Sequence, residues 1–373
     1  MHPILEDSTD HAPKLAKSSH VPVRHAPPIV PHLQQVKNYD VLTTIGRGGM
    51  GVVYKARDRR TTQLGALKMI IAGRFASPAS QLRFCREADA LAKLDDANIV
   101  RLLETGEDNG TLFLALEYVE GTNLMELVQG NPQPPVGVAR LVEVLARAIS
   151  IAHNAGILHR DLKPTNIIVK NPKVPPANLE EIYRIASGLH AGPYTPYGVP
   201  KIIDFGLAKS GDEQSLTADG SAIGTPMYMS PEQFNIRADR PIGPTSDIYS
   251  LGVIMYELLT GRPPFLGNDM QMMLKLKLTH QPVPPSRLMP GISPDLDRIC
   301  MICLARDPAD RFQSGVELAD ALHQFLEGFD LRPKPPGQLQ QIKNWFKNNW
   351  LLASMSAALG LTTAMLVMQR FMR

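Results

Sequence analysis

The sequence predicts an α+β fold of two lobes or domains, and three observations carry the prediction. From Tyr39 to Val119 the chain runs in short, β-branched and aromatic segments interrupted by glycine. One stretch inside that region, Ala79 to Leu94, instead carries apolar residues at three- and four-residue spacing, and from Val138 onward longer segments of helical length take over. Finally, 373 residues suffice for about two domains with tails.

Composition excludes several classes. Hydrophobic residues make up 44% and charged residues 20%, ordinary for a globular protein, and a net charge of +3 is too small for a nucleic-acid binder. Three cysteines, Cys85, Cys300 and Cys303, cannot build a disulfide framework and fit a reducing compartment. The C-x-x-C of Cys300 and Cys303 lies in the apolar run Leu296 to Leu304, where the spacing puts both on one helix face and predicts core packing. Residues 1–38 hold scattered charges, five histidines and six prolines without an apolar run, which reads as a disordered tail without a secretory signal.

After that tail, Ile45-Gly46-Arg47-Gly48-Gly49-Met50-Gly51-Val52-Val53-Tyr54 sets a glycine-rich turn between two β-runs. A dinucleotide-binding turn requires a helix directly after the glycines, whereas Val52 to Ala56 reads as a strand, so a hairpin flap over phosphates fits better. Gly65 to Ile71 forms the next strand and carries Lys68 in an apolar run, where a buried ammonium needs an anionic partner. Glu87, beside the apolar stripe Leu82, Cys85, Ala88, Leu91 and Ala92, is the predicted partner; a solvated helix charge is the alternative. Leu112 to Val119 reads as a buried strand leading out to a hinge at Glu120-Gly121.

The chemistry concentrates in His159-Arg160-Asp161-Leu162-Lys163-Pro164-Thr165-Asn166, which joins a carboxylate base, a cation and an amide oxygen able to hold Mg²⁺. A short strand, Ile167 to Lys170, follows. Residues 171–200 then bring six prolines with Tyr183, Tyr194 and Tyr197 and a short helical stretch at Leu179 to Ile185 where a hairpin turn needs only ~2–5 residues. That segment reads as a solvent-exposed insertion, with partner docking as the sharper alternative. Lys201-Ile202-Ile203 returns as the second hairpin strand and delivers Asp204-Phe205-Gly206. A polar loop from Leu207 to Tyr228 carries Ser210, Ser215, Thr217, Ser221 and Thr225, candidate phosphorylation sites that the Arg160 guanidinium can pair. Glu232 and Arg311 are the predicted structural ion pair.

Taken together these motifs resemble the eukaryotic-like (Hanks-type) serine/threonine protein kinases, bacterial type, from Tyr39 to Glu327. The resemblance implies a bilobal protein-kinase fold, with an antiparallel β-sheet N-lobe carrying one helix over 39–119 and a mainly α-helical C-lobe over 120–327. It implies that Asp161 orients or deprotonates the substrate hydroxyl, that Lys163 and Lys68 stabilise phosphate charge, and that Asn166 and Asp204 hold Mg²⁺ or Mn²⁺. ATP would contact Ile45, Gly46, Arg47, Gly48, Gly49, Met50, Gly51, Val53 and Lys68, backbone groups of Glu117 and Val119 with Leu116 behind the base, and Asn123 at the ribose. These roles are those of the general protein-kinase template. Lys163 and Thr225 resemble the serine/threonine branch, whose partners would be protein substrates with Ser or Thr hydroxyls. Ser230 departs from the alanine usual before Pro-Glu, and Leu94 to Val100 lacks a His-Pro.

Beyond a linker over 328–349, Trp350 to Met368 contains no charged residue. At ~1.5 Å per residue it spans about 28 Å, close to a ~30 Å hydrocarbon core. Trp345, Trp350, Lys343 and Lys347 at its entrance fit an interfacial belt, so the expectation is a single-pass anchor in the cell membrane with the kinase domain on the cytoplasmic side. An amphipathic helix packed on the kinase is the rival. Small residues at Gly360 and Ala364 and at Ala353 and Ala357 allow a homodimer. A pseudokinase scaffold is the alternative function, against which Lys68, Asp161 and Asp204 are all present.

Overall fold

A computed structural model describes residues 35–48, 51–70, 78–171, 195–205, 226–234 and 241–328. The N-lobe is a six-stranded antiparallel sheet in the order β1-β2-β3-β4-β6-β5. Its strands are β1 (Gln35–Val36), β2 (Tyr39–Gly48), β3 (Gly51–Asp58), β4 (Leu64–Ile70), β5 (Leu102–Asp108) and β6 (Thr111–Glu117). One helix, α1 (Pro78–Ala92), lies between β4 and β5 in the chain. Along β3 the side chains of Val52, Tyr54 and Ala56 are buried, alternating with more exposed neighbours as the pleat requires. They meet Val36, Tyr39, Leu67, Met69, Phe113 and Ala115 in a compact apolar cluster on one face of the sheet.

The sheet begins earlier than the sequence indicates. Residues 35–38 were assigned to the tail, yet Val36 is fully buried and β1 pairs with β2 through Val36 and Tyr39. A single apolar residue among polar neighbours gives no periodic signal.

Helix α1 corrects a second expectation. Phe84, Ala88 and Leu91 are its buried face, while Leu82 and Cys85 are exposed. The apolar stripe is rotated toward Phe84, and Glu87 lies half-buried at its edge.

The second lobe is built around α3 (Pro135–Asn154), buried along most of its length, and α4 (Pro244–Thr260). Such all-round burial identifies central helices rather than surface amphipathic ones. Around them lie α2 (Leu124–Val128), α5 (Met270–Thr279), α6 (Pro285–Leu288), α7 (Pro294–Cys303) and α8 (Gly315–Leu326). Cys300 and Cys303 are buried in α7 as free thiols, and burial pushes both well above the ordinary thiol range, Cys303 to about 12. Core packing is thus their role.

A small sheet, β7 (Gly121–Asn123), β8 (Ile167–Lys170) and β9 (Val199–Ile202), sits between hinge and helices. Ile167 pairs with Ile202 and Lys170 with Val199, so β8 and β9 form the expected hairpin with the insertion at its tip. The far end of that insertion is packed, contrary to a wholly solvent-exposed loop. Tyr197 is fully buried against α3, where Gly137 makes room: a Cβ there would stand 3.2 Å from the Tyr197 hydroxyl. Leu179 to Ile185, Tyr183, Tyr194, the N-terminal tail before Gln35, and residues 329–373 with the expected membrane span lie outside the described residues. Among the described residues no helix is long and apolar enough to cross a membrane.

Candidate active site

The loop after α3 is held from below by one carboxylate. Asp247, in the first turn of α4 and 1% exposed, accepts the His159 N–H at 2.8 Å, the Arg160 N–H at 2.9 Å and a bond from His153 Nε2 at 2.8 Å. Burial alone would raise its pKa, but the His153 hydrogen bond and charge outweigh burial and hold the carboxyl below its ordinary range. His159 is fully buried, which pushes its pKa down. Its Nδ1 receives the Asp161 N–H at 3.2 Å, so Nε2 carries the proton and donates to the Ile203 carbonyl at 2.9 Å. This neutral ring ties the loop to the end of β9, and Phe205 packs on it with ring centroids 4.9 Å apart.

Two residues in the left-handed region flank this tie: Arg160 at φ 62° and Asp204 at φ 59°. Non-glycine residues there carry strain that surrounding contacts must hold. The result turns the functional side chains together. Lys163 Nζ lies 3.0 Å from Asp161 Oδ2, and Asn166 Nδ2 donates to the Asp161 carbonyl at 2.8 Å. That donation fixes the amide orientation, leaving Asn166 Oδ1 as the acceptor end. Ile203 N–H donates to the Asn166 carbonyl at 2.9 Å, so Asp204 begins beside Asn166. An amide oxygen and a carboxylate are hard oxygen ligands, and Mg²⁺ takes few protein ligands with the remainder from phosphates and water, so these two residues fit that cation.

Lys68 does not meet Glu87. Its ammonium is 3.1 Å from Asp204 Oδ1, while Glu87 Oε1 lies 3.8 Å from Arg160 Nη1. The physical demand read from the sequence, an anion for the lysine of β4, is satisfied, but by the carboxylate after β9 rather than by α1.

The flap is a hairpin in which Gly46 pairs with Val53 and Gly48 with Gly51, irregular between Thr44 and Gly46. Beside that irregularity Ile45 is 46% exposed, an apolar side chain only partly covered by protein. Gly46 has only ordinary contacts at a Cβ position, so packing within the chain does not demand its glycine. Gly51 differs: at φ +156° a Cβ would meet the Met69 carbonyl at 1.9 Å, so β4 requires this glycine. Arg47 is exposed, and Gly49, Met50 and Gly206 lie outside the described residues.

At the hinge, Leu116 and Val119 are buried, and the Glu117 N–H donates to the Arg101 carbonyl at 2.9 Å, so that N–H is not the group available to an adenine edge. Lys201 of β9 pairs with the Glu117 carboxylate and donates to the Ile99 carbonyl at 2.9 Å, fastening the hinge from behind. Asn123, expected at a ribose, caps α2: its Oδ1 accepts the Glu126 N–H at 2.9 Å. Capping a helix N-terminus satisfies an otherwise unpaired amide, which commits this oxygen to the fold.

Residues 39–324 match the family model described as a protein kinase domain. The chain belongs to the protein kinase family. It is 35% identical over 294 residues to serine/threonine-protein kinase PknB of Mycobacterium leprae, covering 77% of this chain and 42% of that protein. It is also 35% identical over 300 residues to serine/threonine-protein kinase pkn3 of Myxococcus xanthus, covering 78% of this chain and 50% of that one. The match thus spans half or less of these relatives' length. Among solved structures, the Mycobacterium tuberculosis PknI kinase domain superposes with a TM-score of 0.56 at 26% identity, covering 78% of this chain and 97% of that one.

In this chain the segment beside the His159–Asn166 loop is held by side chains. Arg311 Nη1 and Nη2 donate to the two Glu232 oxygens at 2.7 and 2.9 Å, and both side chains are almost wholly buried. This is the pair read from the sequence. Burial pushes the Glu232 carboxyl up, but Arg311 outweighs it and holds the pKa below the ordinary value. Ser230, in place of alanine, binds Gln233 Oε1 through its N–H at 2.9 Å and Oγ at 3.1 Å, and Gln233 Nε2 donates to the Arg160 carbonyl at 2.9 Å. The serine hydroxyl thus adds a second bond to Gln233, which links this segment to the residue before Asp161. Ser210, Ser215, Thr217, Ser221 and Thr225 lie outside the described residues.

Three polar side chains that hold the loop, the hinge and the segment beside them are not evident from local sequence. Nothing in the sequence around Asp247 signals that its carboxylate serves the loop. Lys201 looked like an ordinary strand residue. Lys277 of α5 is buried with Met273 on one face, a pairing that their four-residue spacing signals.

Proposed function

We propose that this chain is a serine/threonine protein kinase that transfers the γ-phosphoryl group of ATP to Ser and Thr hydroxyls of proteins. The observation that carries this reading is the Asp161 carboxylate, 3.0 Å from Lys163 Nζ, with Asn166 beneath it and Asp204 entering beside Asn166. Asp161 accepts the proton of the attacking hydroxyl or orients it in line, and Lys163 neutralises charge building on the transferring group. Lys68 would neutralise phosphate charge of bound ATP. Asn166 and Asp204 would hold Mg²⁺ or Mn²⁺, which would neutralise phosphate charge. Exposed Ile45 and half-buried Val53 cover the adenine.

The finer parts of the reading rest on the sequence. Autophosphorylation falls on the loop from Ser210 to Thr225, where Arg160 receives the phosphate; residues 350–368 tether the enzyme to the cell membrane and permit dimerisation; residues 171–200 offer a docking site. Incubation with ATP and Mg²⁺, followed by mapping of phosphate on peptides, tests the activity. Label on Ser or Thr of the loop supports the reading, and its absence from both the enzyme and every protein substrate refutes it. Deleting residues 345–373 should move the protein from the membrane to the soluble fraction, and a full-length protein that is already soluble refutes the tether.

A further inference from the structure

Helix α5 turns one cation into the protein. Lys277 is 3% exposed, and its Nζ donates to the Met227 carbonyl at 2.8 Å and to the Met229 carbonyl. Between them, the Tyr228 carbonyl accepts the Ser250 hydroxyl at 2.9 Å. Three successive carbonyls are thus held by side chains from α4 and α5. Tyr228 is further fixed by its hydroxyl, which donates to Glu257 at 2.6 Å. The ammonium lies 5.0 Å from the Tyr249 ring centroid and 5.7 Å from that of Phe234, faces that favour a cation.

A buried lysine is costly unless its donors are used. An apolar side chain of similar length would fill the space beside Met273 without that cost. What only a donor supplies is a grip on backbone oxygens that no strand or helix satisfies. The gripped stretch is next to the chemistry, because Gln233 bonds the carbonyl of Arg160, the neighbour of Asp161. A peptide that brings a hydroxyl to Asp161 must pass residues 226–233, where Met227 and Met229 are half-exposed.

We propose that Lys277 is a positioning residue for the protein substrate, fixing the backbone of Met227–Met229 as the surface along which an extended peptide lies. The inference rests on the kinase reading above. Lys277 acts through the segment and touches neither ATP nor the reacting atoms. Other charged or titratable groups around it are Arg311, Glu232 and Tyr249, and Arg311 also stacks on Tyr249 at 4.9 Å.

The test is steady-state transfer to a Ser/Thr peptide phosphorylated by the wild type, with peptide and ATP varied separately, for Lys277→Met and Lys277→Gln. Loss of the N–H donors to two carbonyls should raise the peptide KM about tenfold or more in Lys277→Met, with the ATP KM unchanged. Lys277→Gln, which keeps an N–H donor, should recover part of the loss. A purely structural role would lower the active fraction, and so kcat, leaving both KM values in place. An unchanged peptide KM, or a parallel rise for ATP, overturns the proposal. If Lys277→Met does not give a cooperative thermal melt, Lys277→Gln alone decides by the same criterion. A wild type that transfers to no peptide overturns the kinase reading and this inference together, whereas transfer with an unchanged peptide KM overturns only the latter.

Discussion

Lys68 of β4 pairs with Asp204 at 3.1 Å, across the cleft, while Glu87 faces Arg160 at 3.8 Å. The pairing joins the lysine expected at the phosphates to the carboxylate expected at the metal. In this structure the two side chains neutralise each other.

That arrangement predicts a specific coupling in the protein without nucleotide. A double-mutant cycle on stability with Lys68→Met and Asp204→Asn should give an interaction of about 0.5 kcal/mol or more, and the cycle with Lys68→Met and Glu87→Gln about zero. Chemical denaturation of the four proteins in each cycle measures it. Coupling of Lys68 to Glu87 instead would show that the pairing in solution is the other one.

Removing one member of the Glu232–Arg311 pair leaves a charge buried without its partner. Arg311→Met should cost about 3–5 kcal/mol of unfolding free energy. The pH dependence follows from the lowered Glu232 pKa. The folded state holds its proton less tightly than the unfolded state, so the pair's contribution is complete above the ordinary value of 4.5 and is lost as pH falls below it. Urea titrations between neutral pH and the acid limb should show that slope weakened in Arg311→Met.

Lys277 gives a slope of the same sign at higher pH. Burial, with Arg311 adding and Glu232 opposing, pushes its pKa from 10.5 to about 7. Between these values the unfolded chain binds the proton that the folded one has released, so this residue's contribution to stability rises with pH across that window. Below about 7 both states are charged and the burial cost stands in full. Wild type should therefore gain stability relative to Lys277→Met on going from below that pKa into the window, read as the change in the difference between their urea midpoints. A difference independent of pH would contradict the assignment.

Where an element announces itself by a local period or motif, its sequence reads correctly: Ile167 to Lys170 is a strand as expected, and Leu112 to Val119 contains β6. The ion pair of Glu232 and Arg311 was also legible, because the two residues sit in recognisable segments. What was not legible depends on tertiary placement. The buried face of α1 turns on Phe84, which an averaged apolar stripe through Leu82 and Cys85 missed. Val36 joins the core through a strand of two residues, too short to show alternation. Asn123 caps a helix whose start depends on where β7 ends. The partner of Lys68 is chosen by the position of α1 relative to the loop, which no spacing along the chain encodes.

The central claim is that Asp161 serves the acceptor hydroxyl. Because Asn166 binds the Asp161 backbone carbonyl, Asp161→Asn leaves that tie in place while removing the base. Phosphate transfer from ATP with Mg²⁺ to Ser/Thr peptides should fall by about 10²–10⁴ in kcat, with nucleotide binding retained. An Asp161→Asn protein that transfers phosphate at the wild-type rate would contradict the account.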